Sequence, residues 1–471
     1  MRVAIVGSGY VGLVASACFA ELGHEVICAD NDAEKIAALT AGEVPIHEEF
    51  LPELLARHRG RHLSFTGSLA EAVRNSEVVF IAVGTPPTPQ GDADLSYVEA
   101  VAREIGLQLN NYTVIVEKST VPVFTCQRVR RVVAMNANAP VEFDVASNPE
   151  FLREGTAVTD FLYPDRIVIG TDTERSARIL QRLYEPMTSG AYYGRPNAIA
   201  SPSASVRIPP PLVITSSQSA ELIKHASNAF LAMKISFINA VANICEAVGA
   251  DVTQVCQGVG LDTRIGQRFL RPGIGWGGSC FPKDVMAFRA VAQECGYDFG
   301  LLHEVTRIND EQRNRFLRKI RNTLWTLKGK RLAVLGLAFK GGTDDIRESP
   351  AIALIRDLEQ ESCAIAAYDP AAMDRARVEL EGLNVTFCTS PYEAAHDADA
   401  LLILTDWDEF GALDLPRLRN ALKYPIVLDG RNLYPTDLMA EQGFTYASVG
   451  RPTVAPVQKP LLSVTVTGKA Q

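Results

Sequence analysis

Short runs of consecutive apolar residues alternate with helical patterns over the first 195 residues of the chain. The runs occupy residues 2–7, 24–30, 78–84, 112–120, 143–150 and 165–170. Continuous apolar runs that are separated by helices are typical of a parallel sheet buried on both faces. We therefore expect residues 1–195 to form one doubly wound α/β domain.

The carboxy-terminal part of the chain repeats this pattern more weakly. RLAVLGLAFKG at 331–341 is similar to RVAIVGSGYVG at 2–12. Further strands are expected near residues 332–337, 364–368, 400–404 and 425–429. A second, smaller doubly wound domain is thus predicted over 328–451, and residues 452–471, which lack periodicity, are expected to form a flexible tail.

Apolar residues recur at helical spacing from Ser217 to Val248. A helix of this length would span about 48 Å, which is too long for one small domain, so it should bridge two domains or carry a subunit interface. Helical patterns near 282–294 and 303–326 complete a predicted central helical domain over 217–327. Residues 196–216 are rich in Pro and Ser and predict an irregular, exposed connection.

The fold class expected from these patterns is α/β, with two Rossmann-like doubly wound domains joined by a central helical domain that contains a long bridging helix. The net charge of −9 argues against a nucleic-acid partner and against an anionic-membrane surface. No apolar run approaches the ~20 residues that span a bilayer, and the amino terminus does not resemble a secretory signal. The nine cysteines are scattered without a CxxC pair, so neither a disulfide framework nor a zinc site is expected and a reducing cytoplasm fits best.

The segment Gly7-Ser8-Gly9-Tyr10-Val11-Gly12 fits GxGxxG between a strand and a helix, and Asp30 ends the next strand. Gly7 would permit a tight turn, Gly9 would let the backbone approach a pyrophosphate, and Gly12 would let helix and strand pack closely. Asp30 can accept hydrogen bonds from both ribose hydroxyls and would repel a 2′-phosphate. NAD is therefore expected rather than NADP; a glycine turn with an incidental aspartate is the alternative.

Cys280 follows a glycine-rich loop in FLRPGIGWGGSCFPKD, and Pro282 begins the next predicted helix. The helix dipole and Lys283 would both favour a thiolate here. Beside an NAD site, such a thiolate could add to an aldehyde to give a hemithioacetal, which loses a hydride and leaves a thioester that water converts to an acid. A buried loop cysteine is the alternative.

Lys224 and Asn228 are four residues apart in the long helix, so both project from one face that is otherwise apolar. A lysine whose pKa is lowered by burial could take a proton. A lysine that extends its ammonium group to solvent is the alternative.

A candidate anion site occurs in the carboxy-terminal copy, where Gly336 stands without a full GxGxxG pattern. Ser349 followed by Pro350 predicts a capped helix start. That helix start lies near Lys340 and Arg347 in the sequence, although ordinary surface charges would also explain these two cations.

Further segments indicate a known family. They are VGTPP (83–87), EKSTVP (117–122), SNPEFLREGTA (147–157), DRIVIG (165–170), AELIKHASNAFLAMKISFIN (220–239), RIGQRFL (264–270), GLAFKGGTDDIRESP (336–350) and DGRN (429–432). Together with GSGYVG and GWGGSCFPKD, they follow in order over nearly the whole chain. By these motifs the sequence resembles the UDP-glucose/GDP-mannose dehydrogenase family.

The resemblance implies an amino-terminal NAD domain, a central helical domain with a dimer helix, and a carboxy-terminal domain that binds UDP. It implies that UDP-glucose is oxidised to UDP-glucuronate with two NAD⁺, through an aldehyde, a hemithioacetal and a thioester at one site. GDP-mannose or a UDP-N-acetylhexosamine is the alternative substrate, although the segment around Asn228 is closest to the UDP-glucose type. A catalytically silent nucleotide-sugar binder is the alternative from another class of protein, and it would retain its function after Cys280→Ala.

The matching motifs also imply catalytic roles. Cys280 would be the nucleophile, Lys224 would assist proton removal and stabilise the oxyanion, and Asn228 would hold the sugar and the oxyanion. Asp284 would order a water together with Thr120 and could serve as a base. Which of Lys224, Asp284 or a bound water is the first base stays open.

Binding residues follow from the same resemblance. Glu150 would also activate the water that hydrolyses the thioester. The implied substrate contacts are Glu150, Phe151, Leu152, Glu154, Lys224, Asn228, Arg264, Phe269, the loop Gly273 to Gly277, Phe339, Lys340 and Arg431. The implied cofactor contacts are Gly7, Gly9, Tyr10, Val11, Gly12, Asp30, Lys35, Thr85, Thr120, Glu154, Lys283 and Arg347. Arg264 would reach the sugar site of a neighbouring subunit, so a homodimer or higher homo-oligomer is expected.

Three segments depart from the family pattern. PIHEEFL (45–51) lacks the expected Glu-Pro-Gly, which should affect a loop rather than the chemistry. The Pro/Ser-rich stretch is longer than usual and could alter hinge motion or assembly. Trp276 replaces a commoner Phe and should pack similarly.

Overall fold

The structure is a computed structural model that describes residues 1–88, 91–138, 140–202 and 208–456. The chain divides into two compact units. The first comprises Met1–Met233, Ser279–Glu304 and Gly342–Asp344, and the second comprises Lys234–Gly278, Val305–Gly341 and Asp345–Gln471. Most of the expected tail, from residue 457 onward, lies outside the described residues.

Eight strands form the sheet of the first unit. They are β1 (Arg2–Val6), β2 (Glu25–Ala29), β3 (Leu63–Thr66), β4 (Val78–Ile81), β5 (Thr113–Glu117), β6 (Phe143–Ser147), β7 (Ile167–Gly170) and β8 (Leu212–Thr215). Their order is β3-β2-β1-β4-β5-β6-β7-β8. The expected parallel pairing is confirmed over the first six strands, whereas β7 is antiparallel to β6.

Helices cover both faces of this sheet. They are α1 (Tyr10–Glu21), α2 (Ala33–Ala41), α3 (Leu51–His58), α4 (Leu69–Arg74), α5 (Ser96–Gln108), α6 (Thr125–Asn136), α7 (Ala157–Leu162) and α8 (Glu174–Thr188). Val3 and Ile5 of β1 enter one hydrophobic core, and Ala4 and Val6 enter the other. Both faces of the sheet are buried, so apolar side chains are needed on both sides of the strand. This is why its apolar residues form a continuous run and do not alternate with polar ones.

The prediction of an irregular connection over 196–216 is wrong at its carboxy-terminal end. Residues 212–215 form β8, which pairs in parallel with β7 at the edge of the sheet. Three prolines at 209–211 precede this four-residue strand, and its side chains are partly exposed, so neither composition nor burial pattern marked it. Residues 203–207 of the same connection lie outside the described part of the chain.

The long helix is confirmed at its predicted bounds as α9 (Ser217–Val248). Its residues up to Met233 belong to the first unit and those from Lys234 belong to the second. It is followed by α10 (Val252–Gly260), α11 (Phe281–Glu294) and α12 (Gly300–Leu324). The last two helices begin within three residues of the predicted positions.

Helix α9 is also long and apolar enough to cross a membrane by length and composition. The prediction concerned uninterrupted apolar runs of ~20 residues, whereas this helix meets the criterion by its average hydropathy. However, α9 carries the buried polar residues Glu221, Lys224 and Asn228, and each of them hydrogen-bonds to another protein group. This pattern is typical of a core helix.

Six parallel strands form the sheet of the second unit. They are β9 (Arg331–Leu335), β10 (Ala364–Tyr368), β11 (Val385–Phe387), β12 (Ala400–Ile403), β13 (Ile426–Asp429) and β14 (Thr445–Ser448). Their order is β11-β10-β9-β12-β13-β14, which is the order of the first six strands in the first unit. Its helices are α13 (Pro350–Gln360), α14 (Met373–Glu379), α15 (Pro391–Ala395), α16 (Asp408–Gly411), α17 (Leu415–Ala421) and α18 (Thr436–Glu441).

The two units share the turn that follows their first strand. In the first unit the N–H of Ser8 donates to the Asp30 carboxylate at 2.7 Å. In the second the N–H of Leu337 donates to the Asp369 carboxylate at 2.8 Å. The predicted carboxy-terminal copy is therefore confirmed, including an acid at the end of its second strand.

Candidate active site

The glycine turn between β1 and α1 has the geometry that GxGxxG predicts. Gly7 has a φ of 103°, and an added Cβ there would lie 2.5 Å from the carbonyl oxygen of Ala82. A Cβ at Gly12 would lie 1.9 Å from the carbonyl oxygen of Gly7, whereas one at Gly9 would meet nothing within 4 Å. The turn is thus closed on its inner side and open at Gly9, where the amino terminus of α1 presents unpaired N–H groups.

Asp30 stands beside this open turn. Its Oδ2 accepts hydrogen bonds from the N–H and the hydroxyl of Ser8 at 2.7 and 2.6 Å, and Lys35 Nζ lies 3.8 Å away. Burial alone would raise the pKa of Asp30, but the hydrogen bonds from Ser8 and Asp32 and the charge of Lys35 outweigh it and lower the pKa. The residue is therefore a fixed carboxylate, as ribose recognition requires.

Cys280 is the N-cap residue of α11. Burial raises the pKa of its thiol, and the charge of Lys224 opposes that effect. Lys283, which was expected to favour the thiolate, instead pairs with Asp284 at 2.6 Å. The prediction of a helix start is confirmed, but the cation that acts on the thiol comes from α9.

Lys224 forms a buried ion pair with Glu150. Its Nζ lies 2.8 Å from Glu150 Oε1, and the two side chains are 5% and 6% exposed. Burial alone would lower the pKa of Lys224, but the charges of Glu150, Asp284 and Cys280 outweigh it and raise the pKa. The expectation of a lysine with a lowered pKa is therefore wrong, because burial is compensated by three anionic or acidic neighbours.

Asp284 is held from two sides. Asn228 Nδ2 donates to its Oδ2 at 2.5 Å, and Lys283 Nζ donates to its Oδ1 at 2.6 Å. Burial alone would raise the pKa of Asp284, but Lys283 and Lys224 outweigh it and lower the pKa. The predicted catalytic residues on α9 and α11 are thus linked to one another.

A small cavity of about 10 Å³ adjoins Asp284, and its lining includes Thr85, Thr120, His225 and Lys283. A cavity of this size is at the lower limit of what can hold one water. His225 Nε2 bonds to the Val121 carbonyl at 2.8 Å, while its buried Nδ1 has no hydrogen-bond partner. The cavity therefore brings Thr120 and Asp284 to one place, as the family motif implied.

The loop after β6 supplies the remaining predicted residues of the first unit. Glu150 Oε2 accepts from the N–H of Leu152 at 2.6 Å. The Phe151 ring lies 3.5 Å from the guanidinium carbon of Arg166 and 5.7 Å from Lys224 Nζ. The ring thus closes one side of the buried ion pair.

Glu154 is reached by two hydroxyls. Ser279 Oγ donates to its Oε1 at 2.9 Å, and Thr343 Oγ1 donates to its Oε2 at 3.3 Å. Ser279 Oγ also lies 3.5 Å from Cys280 Sγ. A carboxylate is thereby connected to the thiol through one hydroxyl group.

In the second unit, the glycine loop before Cys280 packs against the DGRN and LAFK segments. Arg431 donates to the carbonyl oxygens of Phe339 at 2.9 Å and Gly275 at 3.4 Å. A Cβ at Gly273 would lie 3.2 Å from Arg431 Nη1, and one at Gly277 would lie 2.0 Å from a neighbouring carbonyl oxygen. Arg431 thus brings Phe339 together with Gly273 and Gly275 of the glycine loop.

Four further predicted binding residues lie in the second unit. Arg264 pairs with Asp262 and its side chain is 87% exposed. Arg347 pairs with Asp345, and Lys340 Nζ lies 5.8 Å from the Phe339 ring. Phe269 has a φ of 68°, which is strained for an aromatic residue.

The predicted start of α13 is confirmed, whereas the anion site there stays a prediction. Ser349 is its N-cap residue and Pro350 its first helical residue. However, the Ser349 hydroxyl donates to the Leu337 carbonyl at 2.7 Å and caps no N–H group. The sequence pattern located the helix start but not the direction of the hydroxyl.

Three family models match this chain consecutively. They describe the UDP-glucose/GDP-mannose dehydrogenase family: its NAD binding domain at residues 1–188, its central domain at 218–311 and its UDP binding domain at 333–436. The chain belongs to the UDP-glucose/GDP-mannose dehydrogenase family.

Individual members of this family are similar to this chain over nearly their whole length. UDP-glucose 6-dehydrogenase TuaD from Bacillus subtilis (strain 168) is 45% identical over 454 residues, covering 96% of this chain and 94% of its own. UDP-glucose 6-dehydrogenase from Rhizobium meliloti (strain 1021) is 47% identical over 458 residues, covering 96% and 100%. A solved UDP-glucose dehydrogenase from Pyrobaculum islandicum has a TM-score of 0.85 and 38% identity, covering 96% of this chain and 98% of that one.

Family membership makes NAD the cofactor, and the first unit fits it. The open side of Gly9 leaves room for a pyrophosphate at the amino terminus of α1, and the Asp30 carboxylate follows at the end of β2. Lys35 lies next to Asp30. These residues would hold the adenosine and diphosphate parts of NAD.

Sequence reasoning missed several polar groups near this family's motifs. The buried carboxylate of Glu48 accepts from the Tyr10 hydroxyl and from the N–H of Gly155 at 2.8 Å. The PIHEEFL segment thus contacts the cofactor candidate Tyr10 through Glu48, while its expected lack of effect on the chemistry stays a prediction. Nothing local marks Glu48, because its partners are distant in the sequence.

Lys118 is a second buried lysine close to the ion pair. Its Nζ donates to Asn148 Oδ1 at 3.1 Å, and burial lowers its pKa to about 8. It belongs to the EKSTVP motif, but the motif did not indicate that the side chain turns inward. Ser279 precedes Cys280 directly, yet only the structure shows its bond to Glu154.

Proposed function

We propose that this chain oxidises UDP-glucose to UDP-glucuronate with two NAD⁺. The observation that carries the proposal is the position of Cys280 at the start of α11, where its thiol lies in the electrostatic field of Lys224, Glu150 and Asp284. An oxidation that ends at an aldehyde has no use for a nucleophilic thiol, whereas an oxidation to the acid can use one to hold the aldehyde as a hemithioacetal that loses the second hydride. The names of the similar family members support UDP-glucose as the substrate.

The residues around Cys280 suit this chemistry. NAD, when bound, supplies the hydride acceptor. Cys280 Sγ adds to the aldehyde carbon, and the Lys224 ammonium and Asn228 amide stabilise the oxyanion. Because Lys224 is held as a cation, it is better suited to this role than to removing a proton. The first base is then Asp284, acting through a water that Thr120 helps to order.

We propose that Glu150 acts in the hydrolysis of the thioester. Its two oxygens are bound by Lys224 and by the Leu152 N–H. While the pair is closed, Glu150 keeps Lys224 charged. When Lys224 turns to the oxyanion, Glu150 is released and can activate the water that hydrolyses the Cys280 thioester.

Each part of the chain has its own task in the proposed function. We assign residues 1–195 to NAD binding, 217–327 to the central domain and 328–451 to UDP binding, with 196–216 as the connection and 452–471 as the tail. The family matches at 1–188, 218–311 and 333–436 support these bounds. The predicted substrate residues Phe339, Lys340 and Arg431 fall in the UDP-binding part.

We propose that the protein is soluble and cytoplasmic and that it forms a homodimer or a higher homo-oligomer. Large apolar side chains are exposed along α9 at intervals of seven or eight residues, at Leu222, Phe230, Phe237 and Ile244. A second copy of the chain would remove this apolar stripe from water. In such an assembly Arg264 reaches the sugar site of the neighbouring subunit.

Arg264→Ala is expected to raise the KM for UDP-glucose about tenfold or more while leaving the KM for NAD unchanged, since a charge-assisted hydrogen bond to a ligand contributes about 1.5–3 kcal/mol. Steady-state kinetics with each substrate varied in turn measures the effect. Arg103→Ala, another exposed arginine that pairs on its own helix, is the control. An unaltered KM for UDP-glucose would refute the cross-subunit contact.

A substrate panel tests the proposed function. Purified enzyme with NAD⁺ is supplied in turn with UDP-glucose, GDP-mannose and a UDP-N-acetylhexosamine, and NADH is followed by absorbance. Turnover is expected with UDP-glucose in preference to the other two. No turnover of UDP-glucose, with clear turnover of another sugar nucleotide, would overturn the substrate assignment.

A further inference from the structure

We propose that Ser279 is a catalytic residue that receives the thiol proton of Cys280, and that Glu154 behind it is the final proton acceptor. Resting on the function proposed above, this inference assigns a route for the proton that the sulfur must lose before it can bond to an aldehyde.

The hydrogen bonds have only one consistent direction. Ser279 Oγ lies 2.9 Å from Glu154 Oε1 and 3.5 Å from Cys280 Sγ. An ionised carboxylate only accepts hydrogen bonds, so the single hydroxyl proton of Ser279 points to Glu154. The contact between Ser279 and Cys280 must then be donated by the S–H group. The three groups thus form a chain from S–H to O–H to carboxylate.

The other groups that face the thiol are poorly placed to accept its proton. Lys224 is already protonated. Asp284 accepts hydrogen bonds from Asn228 and Lys283, and Glu150 accepts them from Lys224 and the Leu152 N–H. None of the hydrogen bonds described for either carboxylate joins it to Cys280 Sγ. Glu154, in contrast, is joined to Sγ through the hydroxyl of Ser279.

The fold fixes Glu154 in this position. Thr343 donates to its second oxygen. The next residue, Gly155, has a φ of 84°, and its N–H donates both to the Tyr10 hydroxyl at 2.7 Å and to Glu48 at 2.8 Å. The backbone that carries Glu154 is thereby anchored to the glycine turn. Glu154 acts on the sulfur only through Ser279, from which it receives the proton.

The proposed step balances without an oxidant. As Cys280 Sγ bonds to the aldehyde carbon, the carbonyl π pair moves to its oxygen, where the Lys224 ammonium meets it. The S–H bond breaks and its proton passes to Ser279 Oγ, while the original Ser279 proton passes to Glu154. Afterwards Glu154 is neutral, and it donates to Ser279.

The rate of Cys280 alkylation by iodoacetamide, measured between about pH 6 and pH 9 by mass spectrometry of the Cys280 peptide, tests the relay. In the wild type the rate should level off toward low pH, because a thiol assisted by Glu154 reacts without prior ionisation. In Ser279→Ala the rate should fall about tenfold for each pH unit, as for a thiol that reacts only as thiolate. Ser279→Thr keeps the hydroxyl and should restore the level region.

Glu154→Gln separates the relay from simple electrostatics. Removing a negative charge near a thiol would by itself favour the thiolate and speed alkylation. The relay requires the opposite result, with a rate that falls at low pH as in Ser279→Ala. A wild-type profile in either Ser279→Ala or Glu154→Gln would overturn the proposal.

Two other cysteines provide internal controls. Cys295 is exposed and should be labelled at the same rate in every variant, whereas Cys18 is fully buried and should stay unlabelled. Labelling of Cys18 in Ser279→Ala would show that this variant is misfolded. The relay is then tested by the comparison of Glu154→Gln with the wild type. Alkylation requires neither NAD nor UDP-glucose, so failure of the relay and failure of the proposed function give different results.

Discussion

Cys280→Ser is expected to lower kcat by about 10⁴-fold or more, in the range found when a catalytic nucleophile is removed. A serine hydroxyl ionises far less readily than a thiol, and an oxygen adduct with the aldehyde is a poor route to the acid. Binding of NAD and UDP-glucose should persist, because their predicted contacts lie elsewhere in the chain. Some enzyme should therefore accumulate as a covalent adduct or with substrate at the aldehyde level.

Intact-protein mass spectrometry and NADH absorbance after rapid mixing measure these two outcomes. Cys295→Ser is the matched control, since this thiol lies at the other end of α11 and is exposed. It should leave kcat unchanged. Wild-type turnover in Cys280→Ser would contradict the assignment of the nucleophile.

Lys224→Met is expected to lower the free energy of unfolding by about 3–5 kcal/mol, because it leaves the Glu150 carboxylate buried without its partner. The same change removes the cation that opposes burial at Cys280 and the charge that would stabilise the oxyanion. We therefore expect kcat to fall by about 10²–10³-fold, as when one oxyanion donor is lost. Urea unfolding and steady-state kinetics measure the two effects.

The double variant Lys224→Met with Glu150→Gln distinguishes stability from catalysis. It should recover most of the lost stability, since the unpaired charge is gone, but none of the activity. Arg103→Met is the control for an exposed pair, with both side chains more than half exposed, and should change the free energy of unfolding by at most about 1 kcal/mol. Recovery of activity in the double variant would contradict the role of Lys224.

The long periodic elements could be predicted from the sequence, and short edge elements could not. The 32 residues of α9 carry enough apolar positions at helical spacing to mark both of its ends. β3, β8, β11 and β14 have three or four residues each. β4, β7, β12 and β13 are equally short but almost fully buried, so continuous apolar runs marked them. The four missed strands lie at the edges of the sheets, and the side chains of β3, β8 and β11 are mostly at least partly exposed, so no such run marks them.

In the candidate site, the identity of the residues could be predicted from local motifs, but their contacts with distant parts of the chain could not. Motifs identified Cys280, Lys224, Asn228 and Asp284, which the structure links through hydrogen bonds and charge. They could not indicate that Lys283 turns to Asp284, because side-chain direction depends on neighbours from other elements. The pKa of Lys224 was also out of reach, since it depends on whether burial or the surrounding acidic groups have the larger effect.

The yield of NADH per UDP-glucose consumed tests the central claim most directly. The substrate is supplied in limiting amount with excess NAD⁺, and the absorbance of NADH is followed to completion. Oxidation of the alcohol to the acid through Cys280 predicts two molecules of NADH for each UDP-glucose, with UDP-glucuronate as the product. A yield of one, with the aldehyde released, would contradict the account.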